Sequence, residues 1–155
     1  MIKQRLNDDV KSAMLAGDAL RVETLRGLKS AILYAEVAAQ RREDGLNDDE
    51  ILALMAKEAK KRQESADFYI QGNATERAEK ELAEKVIIET YLPAQLDEVA
   101  IRDSVVKTIA ELGVTSPQQL GQVIGAVKKK LGSSADGATV ARLVKQCLEE
   151  QSKES

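Results

Sequence analysis

Three apolar stripes with helical spacing, separated by glycines, fill the last third of the chain and restrict it to α-helices. Their members recur every three or four residues: Ile101, Val105, Ile109 and Leu112, then Leu120, Val123, Ile124, Val127 and Leu131, then Val140, Leu143, Val144, Cys147 and Leu148. Side chains at this spacing lie on one face of a helix, so each predicted helix has one side to bury. Gly113 and Gly132 directly follow the first two stripes, where helices commonly end.

Capping residues predict where these three helices begin. Asp97 can cap the first, and Ser116 followed by Pro117 is typical of the start of the second. Asp136 or Gly137 opens the third. The pattern therefore predicts a three-helix domain over residues 93–150, followed by a disordered C-terminus over 151–155.

The preceding residues predict four more helices. The first ends at Gly17, and Asp18 can cap a second that continues toward Gly45. Asn47 followed by three acids opens a third helix, which should extend to Gly72. A fourth begins near residues 73–75 and should bury Leu82, Val86 and Ile87 before Pro93 ends it.

These elements define an all-α fold class. We expect an N-terminal antiparallel, bundle-like half over residues 1–92, followed by the three-helix tail domain. Only two prolines occur, at 93 and 117, and 43% of the residues are hydrophobic, enough for a packed core.

Composition excludes several functions. The chain has no histidine, so a Ser-His-Asp or Cys-His catalytic arrangement and His-based metal sites are excluded. Cys147 has apolar neighbours at helical spacing and is predicted to be a core residue, because a buried thiol is a poor nucleophile. We expect no cofactor, no metal and no membrane span, and we expect a cytoplasmic protein in a reducing compartment.

Several separated motifs resemble the GatB/YqeY family. They occur in the same order as in that family: residues 9–14, 25–32, 57–64, 91–96, 119–125, 135–137 and 140–148. The N-terminal motifs also resemble stand-alone YqeY-type proteins, so the resemblance covers almost the whole chain. Members share a helical tail with the B subunit of the tRNA-dependent amidotransferases.

This resemblance implies a role near tRNA. The amidotransferase tail is understood to contact the elbow of tRNA, so the implied partners are tRNA, an aminoacyl-tRNA amidotransferase or another protein. It also implies a family-level description as a carbon–nitrogen ligase with glutamine as amido-N-donor. Ammonia release and acyl-phosphate chemistry belong to parts of the amidotransferase absent here, so we expect the isolated chain to be non-catalytic.

The residue pattern in the tail suggests where such contacts occur. Gly121 and Gly125 lie one turn apart inside a predicted helix, where each costs about 1 kcal/mol relative to alanine. The candidate nucleic-acid-binding residues are these two glycines and the nearby cations: Gly121, Gly125, Lys128, Lys129, Lys130, Arg142 and Lys145.

Structural explanations for the same residues stay open. The glycines could admit a neighbouring helix, and Lys128 to Lys130 could serve only the negative end of their helix dipole. The cations at 57–62 are explained by intrahelical pairs such as Glu58 with Arg62, and Arg26 and Lys29 are weaker candidates. The alternative function is a protein-interaction adaptor that docks a partner helix on the Gly121/Gly125 face.

Overall fold

The computed structural model describes residues 1–154, and these residues form seven α-helices without a strand. The helices are α1 (Ile2–Ala16), α2 (Ala19–Ala38), α3 (Asp48–Gln71), α4 (Thr75–Glu89), α5 (Glu98–Leu112), α6 (Leu120–Leu131) and α7 (Gly137–Glu154). A short 3-10 turn, Pro117–Gln119, precedes α6, and a second one, Gly132–Ser134, follows it. The predicted all-α fold class is confirmed.

The chain divides into two compact units, Met1–Pro93 and Ala94–Ser155. The first contains α1 to α4 and the second contains α5 to α7. That each unit is an independently folding domain stays a prediction. Residues 151–154, expected to be disordered, continue α7 because no glycine or proline interrupts its last turns. Ser155 lies outside the described residues.

Predicted caps hold most of the helix ends. Asp18 and Asp97 each accept a hydrogen bond from the backbone N–H three residues further on. Asn47 and Glu50 form a reciprocal capping box at the start of α3. Gly113 ends α5 in the left-handed conformation, with φ of 65°. These ends follow local chemistry, which is why the sequence predicts them well.

One helix ends earlier than predicted. α2 stops at Ala38, although its apolar pattern suggested continuation toward Gly45. Gln40 adopts a positive φ of 57°, and the N–H of Arg41 donates to the carbonyl of Glu36 at 2.8 Å. The chain therefore turns out of the helix and returns toward α3.

The rotation of α4 also differs from the prediction. Val86, expected to be buried, is 63% exposed, and the helix instead buries Ala78, Glu84 and Ile88. Glu84 can face inward because Arg62 of α3 donates to its carboxylate at 2.9 Å. An ion pair between two helices thus changes which side of α4 is buried, and an apolar pattern alone does not contain that information.

The N-terminal core is formed by all four helices and Tyr91. Its buried hydrophobic residues are Leu6, Val10, Leu25, Leu28, Ile32, Ile51, Met55, Ala59, Ile88 and Tyr91. The hydroxyl of Tyr91 donates to the carboxylate of Asp9, and the guanidinium of Arg5 lies 4.4 Å from the centre of the Tyr91 ring. These contacts attach the end of this unit to α1.

A buried carboxylate holds the loop between α2 and α3. Glu36 is only 4% exposed, forms an ion pair with Lys3, and accepts from the N–H of Leu46 at 3.4 Å. The hydrogen bond from Lys3 lowers the pKa of Glu36, while burial opposes that effect. Gly45 lies so close that a Cβ there would be 2.7 Å from Lys3 Nζ, and its φ is +75°. Both features favour glycine at that position.

We expect Glu36→Gln to lower the free energy of unfolding by about 1–3 kcal/mol at neutral pH, because a charge-assisted hydrogen bond is lost inside the protein. The lowered pKa makes the wild-type contribution complete above the ordinary glutamate pKa of about 4.3 and removes it as pH falls through the native value. Urea unfolding should therefore show the two proteins converging in acid. A difference that persists unchanged down to about pH 2, well below that ordinary pKa, would contradict this role of the ion pair.

Candidate nucleic-acid interface

One face of α6 packs in the C-terminal core. Val123 and Val127 are completely buried, in a core that also includes Val105 of α5 and Val144 of α7. All five residues of the predicted α7 stripe, from Val140 to Leu148, are buried as well. The inner face of α6 is therefore fixed by apolar packing against both neighbouring helices.

The outer face of the same helix carries the two glycines. At about 100° per residue, Gly125 points about 160° away from both Val123 and Val127, and Gly121 lies about 40° from Gly125. Both glycines are exposed. The sequence pattern predicted them beside the apolar stripe, whereas the structure places them on the opposite, solvent-facing side.

Neither glycine makes room for a neighbouring helix. An ideal Cβ built at Gly121 or Gly125 would meet no heavy atom within 4 Å among the described residues, apart from the local helix backbone. Packing against α5 or α7, the other helices of this unit, therefore does not account for them. What the glycines provide is a smooth strip on which a ligand can approach the helix backbone.

The three consecutive lysines have three different surroundings. Lys130 donates to Thr108 Oγ1 at 3.1 Å and forms an ion pair with Glu111, and its hydrogen bond lowers the pKa of Glu111. The end of the Lys128 side chain lies over the start of α7, where its Cε and Nζ are 3.2 and 3.3 Å from the position of a Cβ at Gly137. Lys129 is exposed and has no ion pair within residues 1–154.

Helix geometry explains this division. Lys128 and Lys129 lie about 60° and 40° to either side of Gly125, whereas Lys130 is rotated onto the side that faces α5. The structure thus brings together a continuous strip on the outside of α6, formed by Gly121, Gly125, Lys128 and Lys129, which we call the glycine–lysine strip.

The two α7 candidates differ from this strip. Arg142 pairs with Glu98 of α5, so its charge is compensated within the unit. A second pair, Arg102 with Glu150, also joins α5 to α7. Lys145 is exposed and forms no ion pair among the described residues. Lys130 and Arg142 therefore serve contacts inside the three-helix unit, although pairs this exposed are weak and can exchange with other anions.

Sequence reasoning missed the part that Gly137 plays. Because this residue lacks a Cβ, the Lys128 side chain can lie across the start of α7. The only signal in the sequence is the glycine after the cap residue Asp136, whose carboxylate accepts from the N–H of Thr139 at 3.2 Å. A glycine at a helix start has other uses, so that signal alone does not point to a lysine contact.

The N-terminal cation cluster is matched by acids, as its spacing predicted. Arg62 donates to Glu58 at 3.0 Å within α3 and also to Glu84 of α4. Lys61 lies 3.2 Å from the same Glu58. The contacts with Glu58 lie within α3, whereas the contact of Arg62 with Glu84 joins α3 to α4.

Residues 1–154 show neither a metal-ligand cluster nor a membrane-spanning helix. No group of three or more Cys, Asp or Glu side chains is arranged to hold a metal ion, and no helix is long and apolar enough to cross a membrane. Cys147 is buried, as predicted, and burial raises the pKa of its thiol.

Fold and site together define a class: an all-helical protein with two units, of which the C-terminal three-helix unit exposes a glycine–lysine strip. The family model described as Yqey-like protein matches residues 3–148, which is nearly the whole chain. The chain belongs to the YqeY-like family.

Curated relatives support this assignment. The chain is 32% identical over 152 residues to "Altered inheritance of mitochondria protein 41, mitochondrial" of Lachancea thermotolerans, covering 96% of this chain and 79% of that protein. It is 34% identical over 130 residues to the protein of the same name from Kluyveromyces lactis, covering 81% and 68%. The names of these relatives place them in mitochondria and state no biochemical activity.

We expect Gly125→Ala to raise the free energy of unfolding by about 0.5–1 kcal/mol, because alanine favours the helix and its methyl group meets open space. Gly45→Ala is the matched control, and there the positive φ and the nearby Lys3 should make the same change destabilising. Urea unfolding monitored by circular dichroism measures both. Loss of stability in Gly125→Ala would mean that the outside of α6 is packed against something.

Proposed function

We propose that this protein is a non-catalytic tRNA-binding protein, or one that assists a tRNA-dependent amidotransferase, and that the glycine–lysine strip of α6 contacts RNA phosphates. The observation that carries the proposal is the solvent-facing position of Gly121 and Gly125 between two exposed lysines. Two glycines in one short helix cost stability, and no contact within the three-helix unit accounts for them.

The strip has the chemistry that a phosphate backbone requires. Lys128 and Lys129 supply positive charge, and the glycines leave the helix surface unobstructed, so that a sugar–phosphate chain can come close to both ammonium groups. RNA helices are recognised largely by shape and backbone contacts, which suits a surface without aromatic side chains. The net charge of −3 favours a local contact over indiscriminate coating of nucleic acid.

The family-level description as a carbon–nitrogen ligase with glutamine as amido-N-donor fits this proposal only as an activity of a larger assembly. The chain has no histidine, and its one cysteine is buried with a raised thiol pKa, so it offers neither a His-activated nucleophile nor a reactive cysteine for glutamine hydrolysis. We infer that amidation would require other subunits, with this chain contributing the contact to tRNA.

A protein-interaction adaptor is the second candidate function. The same glycines would let a partner helix approach closely, since small residues allow short distances between helix axes. Among the described residues, no large apolar side chain of α6 is exposed, so the apolar stripe of a partner helix would have little to cover there, which favours RNA over this alternative. Affinity capture with and without nuclease distinguishes the two functions.

For the compartment, we propose the cytoplasm, or another compartment that keeps Cys147 reduced. The basis is the single buried cysteine, which has no partner cysteine in the chain. The curated relatives are named as mitochondrial proteins, so imaging of the tagged protein in its own cell is the direct measurement.

The RNA function is tested by titrating labelled bulk tRNA with the full chain at several salt concentrations. Wild-type protein should bind most tightly at low salt, and Lys128→Glu with Lys129→Glu should weaken binding and reduce the slope of log K against log salt by about 1–2. Gly125→Arg adds a bulky side chain in the middle of the strip and should also weaken binding, by excluding the backbone despite its added charge.

The matched control is Lys107→Glu with Lys153→Glu, which makes the same change of charge at exposed positions of α5 and α7. Its tRNA affinity should fall clearly less than that of the α6 double variant. Equal losses in both would mean that only overall charge matters. Absence of tRNA binding even at low ionic strength would show the proposal to be wrong.

A further inference from the structure

A groove between α1 and α2 forms a second surface, in the N-terminal unit. It contains two cavities, of about 600 Å³ and about 440 Å³, and Arg26 lines both of them. Along α2 the lining residues extend from Ala19 to Glu36, a distance of about 26 Å at 1.5 Å per residue. The two cavities are therefore neighbouring parts of one elongated groove.

The groove has an apolar floor. Leu6 of α1 and Ile32 of α2 are buried beneath it, while Leu33 and Met14 line it and remain 50% and 54% exposed. Half-exposed aliphatic side chains on facing walls gain free energy when another apolar surface covers them. The helices of the N-terminal unit leave about half of each of these two side chains exposed.

The rim of the groove carries uncompensated positive charge. Arg26 and Lys29 are exposed, lie three residues apart on α2, and have no carboxylate within 4 Å among residues 1–154. The other charged lining residues are already paired: Lys3 with the buried Glu36, and Glu23 with Lys80 of α4 at 3.7 Å. The guanidinium of Arg26 lies 3.5 Å from the Met14 sulfur.

We propose that this groove docks an amphipathic helix of a partner protein, one that carries Asp or Glu beside its apolar stripe. Two antiparallel helices joined by a short turn leave a furrow into which the side chains of a third helix can pack. The apolar stripe of the partner helix packs on the floor of the groove, and its acidic side chains form ion pairs with Arg26 and Lys29. An RNA backbone would use the same two cations but leave Leu33 and Met14 uncovered, so the floor favours a helix.

A displayed peptide library tests which helix the groove accepts, whatever the partner protein is. Each peptide has about 18 residues, long enough to span the groove as a helix, with apolar residues fixed at i, i+3, i+4 and i+7 and the flanking positions randomised. Selection on the full wild-type chain should enrich Asp and Glu at the flanking positions. Selection on Arg26→Glu with Lys29→Glu should enrich Lys and Arg at those positions instead.

Individual peptides then give affinities. A selected acidic peptide should bind wild type about tenfold more tightly than the charge-reversed variant, and Leu33→Asp should abolish binding while leaving the helical circular dichroism signal intact. Lys11→Glu with Lys57→Glu, at exposed positions that do not line the groove, is the charge-matched control and should bind the peptide like wild type.

Three results would overturn the proposal: no enrichment on wild type, the same peptides selected by wild type and by the charge-reversed variant, or binding that survives Leu33→Asp. If no peptide is enriched but Arg26→Glu with Lys29→Glu weakens binding of bulk tRNA, the groove contacts RNA and the helix proposal is wrong. The α6 variants leave this groove intact, so failure of the tRNA function and failure of this inference are distinguishable.

Discussion

The burial of Val123 and Val127 is the interaction on which the candidate interface depends. Both side chains are fully removed from solvent, and each such burial is worth about 1.5–3 kcal/mol. Two helix glycines cost about 2 kcal/mol together, so the inner face of α6 outweighs the weakness of the outer one. Because the core packs against only one side of α6, the residues on the opposite side are free to contact a ligand.

The N-terminal unit is held together differently, with charged groups inside its structure as well as apolar ones. Glu36 joins α1 to the α2–α3 loop, and Arg62 joins α3 to α4 through Glu84. Buried ion pairs add little net stability over an apolar core, but removal of one partner leaves the other uncompensated and is costly. Their effect here is to set the register and rotation of neighbouring helices, as the inward turn of Glu84 shows.

Most of the fold could be predicted from sequence because its determinants are local. Asp18, Asn47 and Asp97 cap the helices that they were expected to cap, and the α7 stripe is buried throughout. The errors occurred at two places. Val86 points outward while Glu84 faces Arg62 of α3, and that partner, 22 residues away, is not visible in a local pattern. α2 ends early because Gln40 adopts a positive φ and the N–H of Arg41 donates to the carbonyl of Glu36, a local turn that the apolar pattern does not encode.

The candidate site shows the same limit at the scale of single residues. Lys128, Lys129 and Lys130 are identical and consecutive, yet one crosses the start of α7, one is free of ion pairs within the described chain, and one is paired with Glu111. A rotation of about 100° per residue separates them, and the apolar positions of α6 already define that rotation. Angular position relative to Val123 and Val127 therefore distinguishes lysines that charge alone does not. The same angle places Gly125 opposite the core, whereas a glycine that admits a neighbouring helix would lie on the buried side. The glycine–lysine strip could therefore have been located from sequence by measuring the angle of each α6 residue from the centre of the buried stripe.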